Sequence, residues 1–517
     1  MKRLSAFLLV LTLLLSGCST FQEEPDEPEY WDIYQPGSAG FPEETPPPEE
    51  EPEHPAAFTL SYYKNSTLDP ITCGEIIQQD IASLLYEPLF RLNAQFEPEP
   101  VLCESWAWDE KGLVCTLELR QDAAFQDGSP LTAKDVAAGL QRAKASERYG
   151  YRLRKIAAVA ASRTGQVVIT LTEPNQGLFA LLDIPIVKSG TENQQAPVGT
   201  GPYRFVSGGT DDYLEANPDW WQRKSLPVST IPLVNTKDRD TARYLFSSRR
   251  IELLTMDPMD NLASVTGQSE STDRPTSILQ YIGFNTASPV FSDPAARSAF
   301  SRGIPRGTMA NAQLAGLAAP AQFPVSPRSP LYPADLEVSY SRDDAMTALT
   351  EAGQATGEVK ELTLLINEED PFRLTSAQFI AENLTLLDWK ITVQALPWEE
   401  YLAALSAGSF DLYFGEVKLT ADWDLSDLIG TGGALNYGRY ADPSADALLQ
   451  NFAAASDRTA AARQLFSYLQ ATVPIVPVCF KTYSVLSYPG TVEGMTPSPS
   501  STFFGLENWT VHLDTSQ

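Results

Sequence analysis

The sequence predicts a mixed α/β protein in which β-sheets are flanked by helices. Its 517 residues are enough for about three domain-sized units. The content of 43% hydrophobic and 20% charged residues is ordinary for a folded soluble protein. Short apolar runs that are typical of strands recur along the chain, and in the second half they alternate with segments of helical spacing. That alternation is typical of α/β sheets.

The first predicted elements lie between residues 114 and 171. Val114 to Leu119 and Gln166 to Leu171 are rich in apolar and β-forming residues and predict two strands. Between them, Leu131 to Lys144 has helical spacing, and Thr132 is placed to cap its first turn.

The second half predicts a helix followed by a β-α-β-α-β run. The first helix would begin at the cap Ser341, turn Met346 and Leu349 inward and end at Gly353. The run comprises a strand at Leu362 to Ile366, a helix at Thr375 to Leu387, a strand at Ile391 to Leu396, a helix at Glu399 to Leu405 and a strand at Phe410 to Phe414. We therefore expect a mainly parallel sheet. Because ligands of such sheets lie beyond the carboxyl ends of the strands, the residues after Phe414 are candidates for a site.

Charge and histidine content exclude several functions. The formal net charge of −29 argues against a nucleic-acid-binding protein, whose contact surface would be basic. The chain has only two histidines, His54 and His512. Histidine is the usual general base and the commonest zinc ligand, so a Ser-His-Asp site, a Cys-His site or a His-rich metal site is not expected. We expect neither a metal site nor a cofactor.

The first residues predict an export signal with a lipid attachment site. Lys2 and Arg3 precede the apolar run Leu4 to Leu15, which is too short to span a bilayer comfortably. The run ends in Leu15-Ser16-Gly17-Cys18, which resembles the bacterial lipobox. Residues 1–17 would then be removed, and Cys18 would carry the acyl chains that anchor the protein at the outer face of the cytoplasmic membrane. The alternative is a plain signal peptide with an incidental cysteine, which leaves a periplasm-facing protein.

Residues 18–56 would follow as a tether. The segment between Phe21 and Pro55 is rich in Glu, Asp and Pro and contains no Lys or Arg. Self-repulsion and polyproline stiffness keep such a segment extended, so it would hold the folded body away from the membrane. Of the remaining cysteines, Cys103 and Cys115 flank a turn signal and could form a disulfide, whereas Cys73 and Cys479 are expected to be free.

Several short motifs follow one another in a fixed order along the body of the chain. They are LDP at 68–70, LYEPLF at 85–90, ESW at 104–106, FQDGSPLTAKDV at 125–136, PVGTGPY at 197–203, NPDWW at 217–221, YADP at 440–443 and PIVPV at 474–478. Together they resemble the family 5 solute-binding proteins, the dipeptide- and oligopeptide-binding lipoproteins of ABC importers. The resemblance extends from about residue 58 to residue 510.

The resemblance implies a two-lobed fold like that of periplasmic binding proteins, of type II and of the three-domain cluster C. Lobe I would comprise residues 58–90, 188–278 and 486–517, with an inserted domain at 91–187. Lobe II would comprise residues 279–485. The two lobes would close about a hinge on a ligand that touches both of them.

The function implied by the resemblance is binding without catalysis. A monomeric, lipid-anchored protein would capture a peptide and deliver it to the permease subunits of an ABC importer. A nickel chelate, haem or an oligosaccharide could occupy the same scaffold instead. Two alternatives from other classes are a carboxylate-based hydrolase that uses Asp422 and Asp424, and a sensor of ligand occupancy.

The resemblance also implies ligand-binding residues. Asp422, in the segment Ala421-Asp422-Trp423, would pair with the ligand's ammonium group, although it could instead cap a helix that begins near Leu425. Lys418 could pair with Glu416 or serve a ligand carboxylate. Across the cleft, Gly74, Glu75 and Ile76 would offer backbone groups to an extended ligand, or else simply begin a helix. Aromatic residues expected to line the walls, each with a core position as the alternative, are Tyr149, Tyr151, Tyr281, Trp398, Trp423 and Tyr437.

Overall fold

The structure of the protein is a computed structural model that describes residues 54–209, 211–257, 265–314, 317–354, 357–384 and 388–514. The predicted signal peptide, Cys18 and nearly all of the tether lie outside the described residues. Within those ranges, no helix combines the length and the apolar composition that a membrane span requires.

Eleven α-helices are described in these ranges. They are α1 (Ile76–Leu85), α2 (Ala133–Lys144), α3 (Arg239–Ser247), α4 (Pro294–Arg302), α5 (Arg306–Leu314), α6 (Arg342–Glu351), α7 (Pro371–Leu384), α8 (Trp398–Ala407), α9 (Ser426–Ile429), α10 (Pro443–Ala454) and α11 (Arg458–Thr472).

The described strands form two four-stranded sheets, one seven-stranded sheet and two two-stranded sheets. They are β1 (Leu60–Tyr62), β2 (Phe90–Leu92), β3 (Pro98–Pro100), β4 (Cys103–Trp108), β5 (Val114–Leu119), β6 (Ile156–Ala161), β7 (Val167–Leu171), β8 (Tyr203–Val206), β9 (Asp212–Ala216), β10 (Thr230–Asn235), β11 (Leu253–Met256), β12 (Glu270–Phe284), β13 (Ala318–Pro320), β14 (Lys360–Asn367), β15 (Trp389–Leu396), β16 (Leu412–Lys418), β17 (Ile475–Ser487), β18 (Val492–Glu493) and β19 (Thr510–Val511).

The predicted helix caps are confirmed. The Thr132 hydroxyl accepts a hydrogen bond from the Asp135 backbone N–H, and the Asp135 carboxylate accepts one from the Thr132 N–H, so α2 begins with a complete capping box. Ser341 caps α6 by accepting from the Asp344 N–H. Gly353 follows α6 with a φ of 67°, a left-handed conformation that glycine adopts without steric cost.

The first four-stranded sheet has the order β1-β10-β9-β8, with β1 and β10 parallel and the other pairs antiparallel. Its core joins residues that are far apart in sequence, from Phe58 at one end of the chain to Trp509 at the other. Apart from Val187 and Val485, the buried residues of this core come from the segments expected to form lobe I. The domain boundaries themselves stay a prediction.

The second four-stranded sheet is antiparallel, with the order β4-β5-β7-β6, and α2 packs against it through Val136 and Leu140. The possible disulfide in this sheet is a wrong prediction. Both Cys103 and Cys115 are free and buried, because the ladder pairs Cys103 with Leu119 and Cys115 with Trp108. Burial raises the pKa of each thiol to about 12.

The seven-stranded sheet has the order β11-β17-β12-β16-β14-β15, with β13 paired to β17. The β-α-β-α-β run is present as β14-α7-β15-α8-β16, and its strands are parallel as predicted. The expectation of a mainly parallel sheet is wrong for the whole, because β11, β12, β13 and β17 all pair antiparallel. The prediction relied on helical segments between strands, which connect parallel strands. Antiparallel strands need no helical connection, so this pattern could not predict how these four strands pair.

A ladder between the two longest strands, β12 and β17, runs from the pair Glu270–Ser487 to the pair Gly283–Ile475. It is interrupted between Pro275 and Leu279, where three residues of β12 lie opposite Lys481 alone. Proline has no N–H to donate to a ladder, which is why it is confined to sheet edges and irregularities.

Two of the sequence motifs meet at one buried carboxylate. Glu87, from the motif at 85–90, accepts hydrogen bonds from the indole N–H groups of Trp220 and Trp221 at 3.2 and 2.6 Å and from the Gln222 amide at 2.7 Å. Next to it, Gly199 and Gly201 lie so close to the Leu85 carbonyl that a Cβ on either glycine would overlap it. The motifs at 85–90, 197–203 and 217–221 therefore pack against one another around Glu87.

We expect Glu87→Gln to lower the free energy of unfolding by about 1–3 kcal/mol. Both carboxylate oxygens of Glu87 accept hydrogen bonds from N–H groups. The NH₂ group of a glutamine at this position would therefore face another donor in either orientation and lose at least one hydrogen bond. Urea denaturation followed by circular dichroism measures the change. Glu104→Gln is the matched control, because Glu104 is exposed. Equal midpoints for the two variants would contradict the structural role of Glu87.

Candidate functional site

A cavity of about 510 Å³ has three main walls. One wall comes from the segment 70–83 around the start of α1, and a second from residues 148–152, which follow α2. The third comes from residues 274–278 in the irregular part of β12 and from residues 418–421 at the end of β16. This volume is within the range of about 300–1,000 Å³ that is common for small-molecule sites.

The irregularity in β12 shapes the third wall. Thr276 donates its hydroxyl to the Lys481 carbonyl at 2.6 Å, and Ser277 donates its hydroxyl to the Leu419 carbonyl at 2.6 Å. The Leu419 N–H in turn donates to the Ser277 carbonyl. These bonds fix the bulged segment against the end of β16, so that both face the cavity.

The charged groups of the cavity lining are predominantly cationic. Arg148, Arg152, Arg239, Arg274 and Lys418 line it, whereas Asp183 is its one carboxylate among the described residues. This local excess of positive charge contrasts with the net charge of −29 for the whole chain.

Two of these cations are held by buried carboxylates. Arg152 pairs with Asp183 and also donates to the Leu181 carbonyl. Arg274 is buried and pairs with Asp80 at 2.7 Å, although its Nε atom has no hydrogen-bond partner among the described residues. Because buried charges must be paired to persist, these two pairs are part of the scaffold of the wall.

Lys418 and Arg148 differ from the other cations of the lining. Arg148 donates to the carbonyl oxygens of Pro70 and Cys73, which are neutral acceptors. Lys418 projects from the last residue of β16, and its pKa is lowered to about 8. The causes are the surrounding protein, which disfavours the charged form, and then repulsion from Arg148, Arg152 and Arg274.

Four of the residues expected to hold a ligand line the cavity: Gly74, Ile76, Tyr149 and Tyr151. Glu75 lies beside them but is exposed, with its carboxylate 3.9 Å from Arg239. The helix start that was the alternative for this segment is present, since α1 begins at Ile76.

The other predicted aromatic residues lie outside the cavity lining. Trp423 is buried one layer behind it, with its ring 5.0 Å from that of Phe96, which does line it. Tyr281 is buried in the seven-stranded sheet against Tyr413, and Tyr437 packs on the same Tyr413 ring. Trp398, 42% exposed, stacks on Tyr401 at the start of α8. Packing in the core, the alternative weighed for these aromatics, describes Trp423 and Tyr281.

Asp422 is buried next to the cavity wall without lining it. Its Oδ2 atom accepts from the Asn175 amide at 2.8 Å, and its backbone carbonyl accepts from Arg458. Its Oδ1 atom is buried and has no hydrogen-bond partner among the described residues. One carboxylate oxygen is therefore still open to a donor, and the ammonium-binding role of Asp422 stays a prediction.

A second contact region, here called the interlobe cluster, joins Tyr151, Arg154 and Lys155 of the predicted inserted domain to Asp424 and Asp427 of the predicted lobe II. Arg154 lies 2.6 Å from Asp424 and 3.3 Å from Asp427, and Lys155 lies 2.9 Å from Asp424. The Tyr151 hydroxyl donates to Asp427 at 2.7 Å. Asp424 also accepts a hydrogen bond from the Ser426 N–H at the start of the short helix α9.

Sequence reasoning named only one of the five cavity cations, Lys418, as a possible partner of a ligand carboxylate. The alternative pairing of Lys418 with Glu416 is not seen, because Glu416 instead accepts from Gln280 and lies 3.7 Å from Lys481. A usable signal for two others was the segment Arg148-Tyr149-Gly150-Tyr151-Arg152, which places cations beside the predicted aromatics. No local pattern marks Arg239 or Arg274.

Comparisons with known proteins agree with this architecture. The family described as bacterial extracellular solute-binding proteins, family 5 Middle, matches residues 97–431. The glutathione-binding protein GsiB of Escherichia coli O1:K1 / APEC is 27% identical over 390 residues, which cover 71% of this chain and 76% of that protein.

Solved structures show the same fold. HbpA2 from Haemophilus parasuis superposes with a TM-score of 0.75 at 21% identity, covering 89% of this chain and all of that one. The oligopeptide-binding protein AppA from Bacillus subtilis, solved with a nonapeptide, has a TM-score of 0.59 at 20% identity with the same coverage. The chain described here belongs to the family 5 bacterial extracellular solute-binding proteins.

Proposed function

We propose that the protein captures a short peptide in the 510 Å³ cavity and delivers it to the permease of an ABC importer. The observation that carries the proposal is the composition of the cavity wall, which draws on both predicted lobes and on the inserted domain. A ligand held by all three parts gains more contacts when the lobes are closed than when they are open, so its binding energy stabilises closure.

The kind of ligand is supported by the relatives. GsiB is a glutathione-binding protein, and AppA was solved with a nonapeptide. In the present cavity, the start of α1 at residues 74–76, which has no side-chain cap, would offer backbone groups, and Tyr149 and Tyr151 would offer flat apolar surface. Such a combination holds a peptide chain while placing few demands on its side chains.

The interlobe cluster would hold the closed state. Asp424 has a lowered pKa: burial acts to raise it, but the charge of Lys155 and hydrogen bonds from Lys155 and Ser426 outweigh that effect. A carboxylate held ionised in this way supports an ion pair. It does not suit a hydrolase that would need Asp424 as a proton donor, because general acids require a raised pKa.

The mature protein would be a monomer anchored at the outer face of the cytoplasmic membrane through Cys18. The lipobox-like sequence and the acidic, proline-rich tether support this arrangement. A tethered protein stays close to its permease, which raises the effective concentration at which a loaded molecule meets the transporter.

Peptides should raise the melting temperature of the full mature chain. At a peptide concentration of 100 times Kd, the stabilisation is about 2.7 kcal/mol. Differential scanning fluorimetry with a peptide library and with N-acetylated copies of the same peptides is the measurement. If Asp422 receives the ligand ammonium, acetylation and Asp422→Asn will each weaken binding, and the two losses will not add. Stabilisation by nickel chelates, haem or glycans but by no peptide would overturn the peptide proposal.

Removing the cations of the interlobe cluster should weaken peptide binding. In the double variant Arg154→Gln/Lys155→Gln, Asp424 loses both of its ionic partners, and we expect Kd to rise about tenfold, which is about 1.4 kcal/mol. Calorimetry gives Kd, and small-angle scattering of the peptide-saturated protein reports whether the closed form is less populated. The control Lys134→Gln/Arg163→Gln removes the same charge from exposed positions of the same predicted domain. Equal affinities for the two double variants would show that the cluster does not support closure.

Cys18→Ala should move the protein from the membrane fraction to the soluble fraction of a bacterial host. The acyl chains on Cys18 would be the only membrane attachment, and without them the tether repels anionic lipids. Immunoblotting of the two fractions measures the change, with the buried Cys73→Ala as control. A wild-type protein found in the soluble fraction would contradict lipid anchoring.

A further inference from the structure

The cavity carries an unbalanced positive charge. Its lining contains four arginines and one lysine against the single carboxylate of Asp183 among the described residues. Asp183 is already paired with Arg152, and the carboxylate of Asp80 behind the wall is paired with Arg274. Neither carboxylate is therefore available to neutralise the remaining cations.

Within the part of the chain that the structure describes, Arg148 and Lys418 are the cavity cations without an acidic partner. Across those ranges, no carboxylate lies within salt-bridge distance of either group. Arg148 uses its Nη1 atom on two neutral carbonyls. The nearest acid along β16, Glu416, is engaged by Gln280 and lies near Lys481.

These two cations lie on different walls of the cavity. Arg148 belongs to the predicted inserted domain, where it follows α2, and Lys418 ends β16 in the predicted lobe II. They are close enough for the charge of Arg148 to contribute to the lowered pKa of Lys418. An anionic group placed between them would relieve this repulsion and would bond to both walls at once.

We infer that the captured solute is an acidic peptide, with a carboxylate that bridges Arg148 and Lys418. This inference rests on the proposed function and names the substrate class of the same cavity. The ligand's negative charge would neutralise the two cations that have no acidic partner. Because the bridging carboxylate contacts both predicted lobes, recognition of that charge would be coupled to lobe closure. A peptide that brings no carboxylate to this position would leave like charges facing one another in a site that is partly shielded from water, where repulsion is strong.

Affinity selection from a peptide pool tests the inference over a range of ligand lengths at once. The full mature chain is incubated with an equimolar pool of peptides of two to eight residues, balanced in Asp, Glu, Lys and Arg, and the retained peptides are identified by mass spectrometry. The pool also contains copies of the acidic peptides in which Asn replaces Asp and Gln replaces Glu. We expect the net-negative peptides to be enriched about tenfold or more over these copies, as a charge-assisted hydrogen bond implies.

Variants assign the preference to the two side chains. Lys418→Gln and Arg148→Gln should each reduce the enrichment of acidic peptides about tenfold, and Lys418→Arg should retain it because the charge is kept. Lys134→Gln is the matched control, since Lys134 is exposed on α2 and does not line the cavity. Unchanged melting temperatures of the free variants show that folding is intact, and the retained selectivity of Lys418→Arg guards against a purely structural effect.

The outcomes separate this inference from the proposed function. Retention of peptides without a preference for negative charge, or equal selectivity in Lys418→Gln and Lys134→Gln, would overturn the acidic-peptide inference and leave peptide capture standing. Retention of no peptide from the pool would overturn peptide capture itself.

Discussion

The interrupted ladder between β12 and β17 is the constraint on which the site depends. These strands run together through the region where the predicted lobes meet, and a regular ladder would pair every residue along both of them. Pro275 cannot donate to the ladder, and the three residues after it lie opposite Lys481 alone. Thr276 and Ser277 satisfy their hydroxyls on Lys481 and Leu419, so the irregular segment is fixed in place and forms one wall of the cavity.

The same segment joins the cavity to the packing on both sides. Arg274, one residue before Pro275, is anchored to Asp80 of α1, and the end of β16 is bonded to Ser277. A movement of β16 relative to α1 must therefore pass through residues 274–278. An irregular, hydrogen-bonded strand can absorb such a change in backbone angles with less loss of packing than a continuous ladder can.

Sequence patterns predicted the elements better than the site, for a physical reason. Local signals predicted the caps at Thr132 and Ser341 and the strands of the β14-α7-β15-α8-β16 run. The order of the family motifs indicated the segments that meet at Glu87. The cations of the cavity have no such signature, because Arg148, Arg274 and Lys418 come together only through tertiary packing. Two of the large aromatic residues predicted to line the cavity, Trp423 and Tyr281, are instead buried in the core, where most of their surface is in contact with other residues.

The contrast between an acidic chain and a cationic cavity bears on how selectivity arises. The net charge of −29 repels an anionic solute at long range, but at physiological ionic strength this repulsion is screened beyond about 8 Å. Inside the cavity the distances are short and the screening is weak, so Arg148 and Lys418 would dominate once the solute has entered. Discrimination by charge would then appear mainly in the dissociation rate of the closed complex. The negative charge of the protein surface slows association of an anionic ligand, whereas the contacts formed on closure slow its dissociation.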